Sequence, residues 1–390
     1  MKHLLNKNVK NIEISGIRKI SNLIDKSSDT VNMTFGQPNF PTPDYIKDAA
    51  IQALEDNHTD YTETAGVFEL RQAACDYVKK LYGLKYNPEN EIIVTVGASE
   101  ALDITLRTIL DEGSEVIMPA PVFVGYEPLI KMCNAKAVYV DTTETDFKMT
   151  ASMIEEKLTD KTRCVLLPYP SNPTGTVLTK EEVIEIGELL RGREIFIISD
   201  EIYSELVYES KHFSIGAVPG LKDQTIIING LSKSHAMTGW RIGFAFAPAY
   251  LVDQFYAVHS FNAICAPSIS QYAAIEALRQ GADHEEIVAM KEDYKRRRDF
   301  VYSRIKEMGL NVTKPEGAFY IFPSIKNTGL TSEEFSTRLL EEANVAVIPG
   351  SAFSSYGEGY LRISYAQSME ELVKGMDGLE RFLTKLAQEA

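Results

Sequence analysis

The stretch NGLSKSHAMTGWRIGFAFAP, residues 229–248, decides how the chain is read. Its flanks, Thr225–Asn229 and Ile242–Ala247, read as strands, and between them Lys233 stands in a serine-containing turn with Arg241 eight positions on. A lysine placed just past a strand projects from the carboxyl edge of a sheet, where the ligand sites of α/β folds form. Alone it means little, because a single lysine is most often a solvated surface residue.

Outward from this stretch, short β-rich runs alternate with helical-period segments, the pattern of an α/β core. The other expected strands are Glu91–Val96, Glu115–Pro119, Ala137–Val140, Arg163–Pro168 and Ile195–Asp200, so seven strands in all make one large sheet. Helices are expected over Ser99–Leu110, capped by Ser99 and ended by Gly113, over Lys180–Leu190 after a Thr179 cap, and from Pro43 onward. After about Glu285 the texture changes to a long charged helix, short strands (AFYIFP, VAVIPG, LRISYA) and a terminal helix, which predicts a smaller α+β domain. The expected division is a large domain over residues 46–285, a small domain over 286–390, and an arm over 1–45 that joins the small domain.

The 390 residues carry 40 Lys+Arg against 55 Asp+Glu, a net charge of −15 that repels nucleic acid and anionic lipid. The one basic cluster, Lys295-Arg296-Arg297-Arg298, lies within KEDYKRRRDF and reads as a solvated helix face. Cys75, Cys133, Cys164 and Cys265 are scattered without a CxxC pair and read as buried free thiols of a reducing compartment. With no apolar leader and no run long enough for a bilayer, a cytoplasmic location is expected. No HExxH, GxGxxG or GxxxxGK occurs, which argues against a zinc protease, a dehydrogenase or a P-loop enzyme.

Three further segments place chemistry at strand ends. In IFIISDEIYSELVY (195–208), Asp200 ends a strand and Tyr203 follows; a helix cap reads equally well for the acid. In LLPYPSNPTG (166–175), Asn172 lies in what is otherwise an ordinary Asn-Pro-Gly turn. In VTVGASEALDITL (94–106), Gly97-Ala98-Ser99 leads a strand into a helix whose first amides can hold a phosphate.

In this order and spacing the four segments resemble the class I/II aminotransferases, fold-type I enzymes that use pyridoxal 5′-phosphate. The resemblance runs through FGQPNFPTP (35–43), YTETAGVFELRQA (61–73), PAPVF (119–123), EGAFYIFP (316–323) and VIPGSAFSSYGEGYLRISYA (347–366) as well. It implies that Lys233 carries the cofactor as a Schiff base and later shuttles the substrate Cα proton. Asp200 then matches the acid opposite the pyridine nitrogen, and Asn172 and Tyr203 the donors to the ring oxygen O3′. Phe123 stands where the family usually stacks Trp or Tyr on the ring, leaving a purely apolar stack.

By the same resemblance, Arg241, Ser232 and the Gly97-Ala98-Ser99 turn hold the cofactor phosphate. Gly230 replaces a serine that some subgroups use for that contact. Tyr61 matches a tyrosine that reaches the phosphate in the neighbouring subunit, which implies a two-fold homodimer. Arg362 matches the arginine that grips the substrate α-carboxylate, with Gly36 bringing backbone close to it. The bonds before Pro121 and Pro173 are expected to be cis, and His235 is assigned no role beyond local packing.

Within the family, NIEISGIRKISNLI (11–24) and the segments around Lys233 look most like bacterial N-acetyl-L,L-diaminopimelate aminotransferases, near relatives of aromatic aminotransferases. The expected reaction is transamination of an α-amino acid with glutamate/2-oxoglutarate as the other pair. Aspartate-specific members use a partner-subunit arginine around the segment reading QFYAVHSFNAICAPS here, which holds no Arg or Lys. A longer or apolar side chain fits better, with Ile17, Phe123 and Tyr126 as pocket walls or plain core. Cofactor-dependent eliminations of cysteine conjugates or of aminocyclopropane carboxylate type, and a cofactor-sensing regulator, remain as competing readings.

Overall fold

The computed structural model describes residues 1–10, 12 and 29–389; Ile17 and most of NIEISGIRKISNLI lie outside the described residues. All seven expected strands form and join one sheet. They are β2 (Ile92–Val96), β3 (Glu115–Ala120), β4 (Lys136–Asp141), β5 (Thr162–Leu167), β6 (Phe196–Asp200), β7 (Thr225–Gly230) and β8 (Ile242–Phe246), after a two-residue β1 (Val31–Asn32) outside the sheet. The order across the sheet is β2-β8-β7-β6-β5-β3-β4. β8 runs antiparallel to both its neighbours, and the other pairings are parallel.

Both faces of this sheet are covered, as the near-continuous apolar strands require. Along β5 and β7, Val165, Leu167 and Ile227 point into one core with the helices Phe68–Tyr82 and Ser268–Gln280. Their neighbours Cys164, Leu166, Ile226 and Ile228 point into the other core, with Ala98–Ile109 and Ala249–Asn262. This period-two division fixes which strand residues finish at the carboxyl edge. β2, β3, β5, β6 and β7 all end at that edge, and β8, being reversed, begins there. Arg241, immediately before Ile242, is therefore delivered to the same edge as Asp200 and Lys233.

The chain ends pack together around a third core. β1 pairs in parallel with β10 (Val345–Ala346), while β11 (Ile348–Pro349), β12 (Leu361–Ser364) and β9 (Tyr320–Ile321) form a small antiparallel sheet. The helices Glu285–Glu307, Ser332–Ala343 and Met369–Glu389 cover it, with Tyr294, Phe335 and Phe382 inside.

Three sequence expectations need correction. The helix expected from Ser99 starts at Ala98 with Gly97 as its cap residue, and Ser99 lies exposed in its first turn. The basic cluster is not a solvated face: Arg297 and Arg298 are buried, Arg298 against Glu209 and Asp299 and stacked on Tyr208. Paired charges with long apolar stems can be buried where isolated ones cannot. Of the four free thiols, only Cys75 and Cys164 are fully buried. A third cis bond, Tyr169–Pro170, joins the expected Ala120–Pro121 and Asn172–Pro173. The Thr179 cap is present as a full capping box with Glu182. No helix among the described residues is long and apolar enough to cross a membrane.

Candidate active site

A cavity of about 260 Å³ lies between the carboxyl edge of the large sheet and the small sheet. Gly36, Ala98, Ser99, Phe123, Asn172, Asp200, Tyr203, Ser232, Lys233, Arg241 and Arg362 all line it. Gly97 lies just behind the Arg241 guanidinium. Tyr61 does not line the cavity: it is 78% exposed on the same chain's surface.

Lys233 enters from the turn after β7, and its Nζ donates to the Gly36 carbonyl at 2.6 Å. Burial, helped by the positive charges of Arg362 and Arg241, brings its pKa down to about 8, against the opposing pull of Asp200. About a tenth of the amine is thus neutral, and nucleophilic, at pH 7, and about half at pH 8.

Asp200 ends β6 with its carboxylate almost wholly buried. Oδ2 accepts from the Tyr126 hydroxyl at 2.7 Å and Oδ1 from the Ile202 amide at 3.3 Å. Burial pushes the acid up to about 6, while those two donors hold it down. A buried carboxylate in that state favours a positively charged or strongly donating neighbour.

Gly97 takes φ 76° at the junction of β2 and the helix Ala98–Ile109, and no side chain caps that helix. A Cβ on Gly97 would overlap the Arg241 guanidinium, so the glycine makes room for the arginine to lie against the helix start. Among the described residues Arg241 donates only to carbonyls, Thr238 O at 3.0 Å and Val96 O at 3.3 Å. A guanidinium without an acid, free helix amides and the Ser232 hydroxyl together make an anion seat. The Gly230 position is closed to a side chain, because a Cβ there would lie 2.9 Å from the Ile242 carbonyl.

At the opposite end, Arg362 of β12 is 2% exposed. It donates to Asn172 Oδ1 at 3.0 Å and to the Thr34 carbonyl at 2.7 Å, and its Nε has no partner among the described residues. Its guanidinium lies over the rings of Tyr320 (4.5 Å) and Phe353 (5.0 Å). Asn172, with its oxygen engaged, keeps its amide N–H groups for a ligand. The Tyr203 and Tyr320 hydroxyls are 2.9 Å apart. Phe123 makes a T-shaped contact with Tyr126 at 5.4 Å and lines the cavity. His235 is fully buried, hydrogen-bonded to Ser234 at 2.8 Å and pushed by burial to about 4, which fits packing alone.

Sequence reasoning gave no role to Thr34, Thr238 or Tyr320, and saw Tyr126 only as a wall. Thr34 acts through its carbonyl, which no side-chain pattern reveals. Tyr126 had one usable signal, its place three residues after Phe123 at the start of the helix Tyr126–Met132.

The family described as aminotransferase class I and II matches residues 28–379. A Bacillus subtilis protein named "Probable N-acetyl-LL-diaminopimelate aminotransferase" is 56% identical over 385 residues, covering 99% of this chain and 97% of that protein. Aromatic-amino-acid aminotransferase 2 of Thermococcus litoralis is 42% identical, covering 95% of each. The solved structure of Thermus thermophilus aspartate aminotransferase with maleate superposes with a TM-score of 0.92 at 35% identity, over 97% of this chain and 99% of that one. With its sheet, its edge residues and its relatives in agreement, the chain belongs to the class I and II aminotransferases, a family known to use pyridoxal phosphate.

Proposed function

We propose that this aminotransferase binds pyridoxal 5′-phosphate in the cavity and interconverts N-acetyl-L,L-diaminopimelate plus 2-oxoglutarate with the corresponding 2-oxo acid plus glutamate. The observation that carries an amino acid substrate is Arg362, a fully buried guanidinium with only neutral partners, facing Lys233 and Asp200 across one cavity. A buried cation without an acid is poised for an anionic ligand group. The cofactor fits the residues present: the anion seat at Gly97, Ala98, Ser99, Ser232 and Arg241 suits its phosphate, Asp200 suits a protonated ring nitrogen, and Phe123 offers a stacking face. Asn172 and Tyr203 supply donors to its ring oxygen.

When bound, pyridoxal phosphate supplies an electron sink for charge developed at the substrate Cα. The chain's own residues do the rest. Arg362 grips the α-carboxylate in a forked contact and fixes the Cα–H bond relative to Lys233. The Lys233 amine would hold the cofactor covalently and is the base placed to take the Cα proton. Asp200 stays ionised opposite the ring nitrogen, and Tyr126 supports that state.

The N-acetyl-diaminopimelate assignment is supported by the 56% identical Bacillus protein, while the absence of Arg and Lys from residues 254–268 argues only against a short acidic substrate such as aspartate. An aromatic substrate is the second reading, favoured by the aromatic walls Phe123, Tyr126 and Tyr320 and by the Thermococcus relative. Tyr61, exposed and outside the cavity of its own chain, is proposed to complete the partner's phosphate seat in a homodimer, working in the cytoplasm. The deciding experiment is a half-reaction panel on purified enzyme with N-acetyl-L,L-diaminopimelate, phenylalanine, tyrosine, aspartate and alanine, each referred to glutamate. The acetylated diamine is expected to give the highest kcat/KM. A wide lead for phenylalanine or tyrosine replaces it with the aromatic reading, and no amino-group transfer from any donor rejects transamination.

A further inference from the structure

We propose that Tyr320 is a positioning residue for Tyr203: its hydroxyl donates to the Tyr203 oxygen and so turns the single Tyr203 proton into the cavity, toward the cofactor ring oxygen. This rests on the reading of Tyr203 as a donor to that oxygen. The two hydroxyls are 2.9 Å apart and both phenols are buried at the cavity wall, so each has the other as its partner within the chain. Each hydroxyl has one proton, so only one can donate within the pair. If Tyr203 donated to Tyr320, nothing would be left for the cofactor; if Tyr320 donates, the Tyr203 proton is free.

The surroundings decide the direction. Tyr320 pairs with Ser364 in the small sheet, and Arg362 lies two residues along the same strand, on the same face. That register puts the Arg362 guanidinium 4.5 Å from the Tyr320 ring centroid, whereas the cation over the Tyr203 ring is the Lys233 amine at 5.9 Å. Arg362 is permanently charged, and Lys233 is not. A fixed cation on the ring face draws electron density from the phenol and makes it the stronger donor. The acidities agree in direction: burial lifts both phenols and Arg362 opposes the lift at both, but the contact within the pair adds to the lift at Tyr203 and works against it at Tyr320. The Tyr320 hydroxyl is also held from above, since a Cβ on Gly36 would sit 3.3 Å from it. The small sheet thus reaches the cofactor's ring oxygen through a phenol pair, although its own strands only border the cavity.

The test uses the holoenzyme. Tyr320→Phe keeps the ring under Arg362 and removes only the hydroxyl, and Tyr320→Leu removes both. The readouts are the pH midpoint of the visible cofactor band, kcat and KM. A weakened donor to the ring oxygen disfavours the deprotonated, more negative state, so the Tyr320→Phe midpoint is expected to rise by about half to one pH unit. Its kcat is expected to fall about tenfold, on the scale of one hydrogen bond, with KM changed less than twofold. Tyr320→Leu is expected to raise KM as well, because Arg362 loses its support. Tyr203→Phe is expected to shift the midpoint further, and the double variant Tyr203→Phe, Tyr320→Phe no further than Tyr203→Phe alone. A midpoint unmoved in Tyr320→Phe, or shifts that add fully in the double variant, overturns the inference while leaving the cofactor reading intact. A wild-type protein with no visible band overturns the cofactor reading, and this inference with it.

Discussion

The two ends of the cavity are built on opposite electrostatic plans. On the large sheet, Asp200, Lys233 and Arg241 come from the ends of three long strands, and the acid and the amine influence each other's ionisation. On the small sheet, Arg362 stands on a four-residue strand, buried, with a side-chain amide and a carbonyl as its acceptors. The first arrangement is suited to a group that stays, because several elements converge on it and its charges are matched in place. The second suits a group that comes and goes: a buried guanidinium with neutral partners gains most when a carboxylate arrives and is not locked by a permanent counter-ion. Lys233 lies between the two and is pushed toward neutrality by both arginines.

The severest way to break this contrast is to remove what lies between the ends. Lys233→Ala is expected to take up pyridoxal phosphate without covalent attachment, leaving no borohydride-stable label. Turnover should fall by about four orders of magnitude, since one residue supplies both nucleophile and base. Retained turnover would remove Lys233 from the chemistry and leave the two ends without a common centre.

Substituting one residue at each end sharpens the contrast. Asp200→Asn is expected to lower kcat by about a hundredfold or more with little change in KM, since the carboxylate acts on the reacting ring and not on the substrate. Arg362→Lys loses the forked grip and is expected to raise KM and lower kcat/KM by about a hundredfold, with cofactor affinity unchanged. Steady-state kinetics and cofactor titration on both variants separate the outcomes. A shared profile would mean that the ends are not specialised as their surroundings indicate.

The large-sheet end was legible in the sequence and the small-sheet end only partly so. Strands such as FIISD and TIIING announce themselves by unbroken apolar runs, so the positions of Asp200 and Lys233 at their ends followed from pattern alone. Roles did not follow from pattern: a lysine in a turn and an Asn-Pro turn are common, and their meaning came from the family resemblance. β9, β10 and β11 are two residues each, too short for periodicity to fix register. Yet register is what puts Tyr320 beneath Arg362 and against Tyr203. Burial of Arg297 and Arg298 was illegible for a related reason: beside the local acids Asp293 and Asp299, they pair with Asn39 and Glu209, which are distant in sequence. Local charge pattern cannot report a pairing made by tertiary packing.

The mildest test asks whether the two ends communicate through Lys233. Burial and the two arginines favour its neutral form, which places the change of charge near pH 8. Only the neutral amine attacks an aldehyde, so covalent uptake by cofactor-free protein is expected to speed about tenfold per pH unit below that point and to level off above it. Pyridoxal without its phosphate is the better probe, because a phosphate would neutralise Arg241 as it bound. Removing one cation in Arg362→Leu leaves the ammonium form less disfavoured, raises the Lys233 pKa, and moves the plateau to higher pH, measured by stopped-flow absorbance. Asp200→Asn removes the one nearby charge that favours the ammonium form and is expected to move it the other way. Opposite shifts from the two ends mean that the arginine awaiting substrate also sets the readiness of the amine that receives the cofactor. Identical plateaus in all three proteins would mean that burial alone tunes Lys233 and that the two ends of the cavity are electrostatically independent.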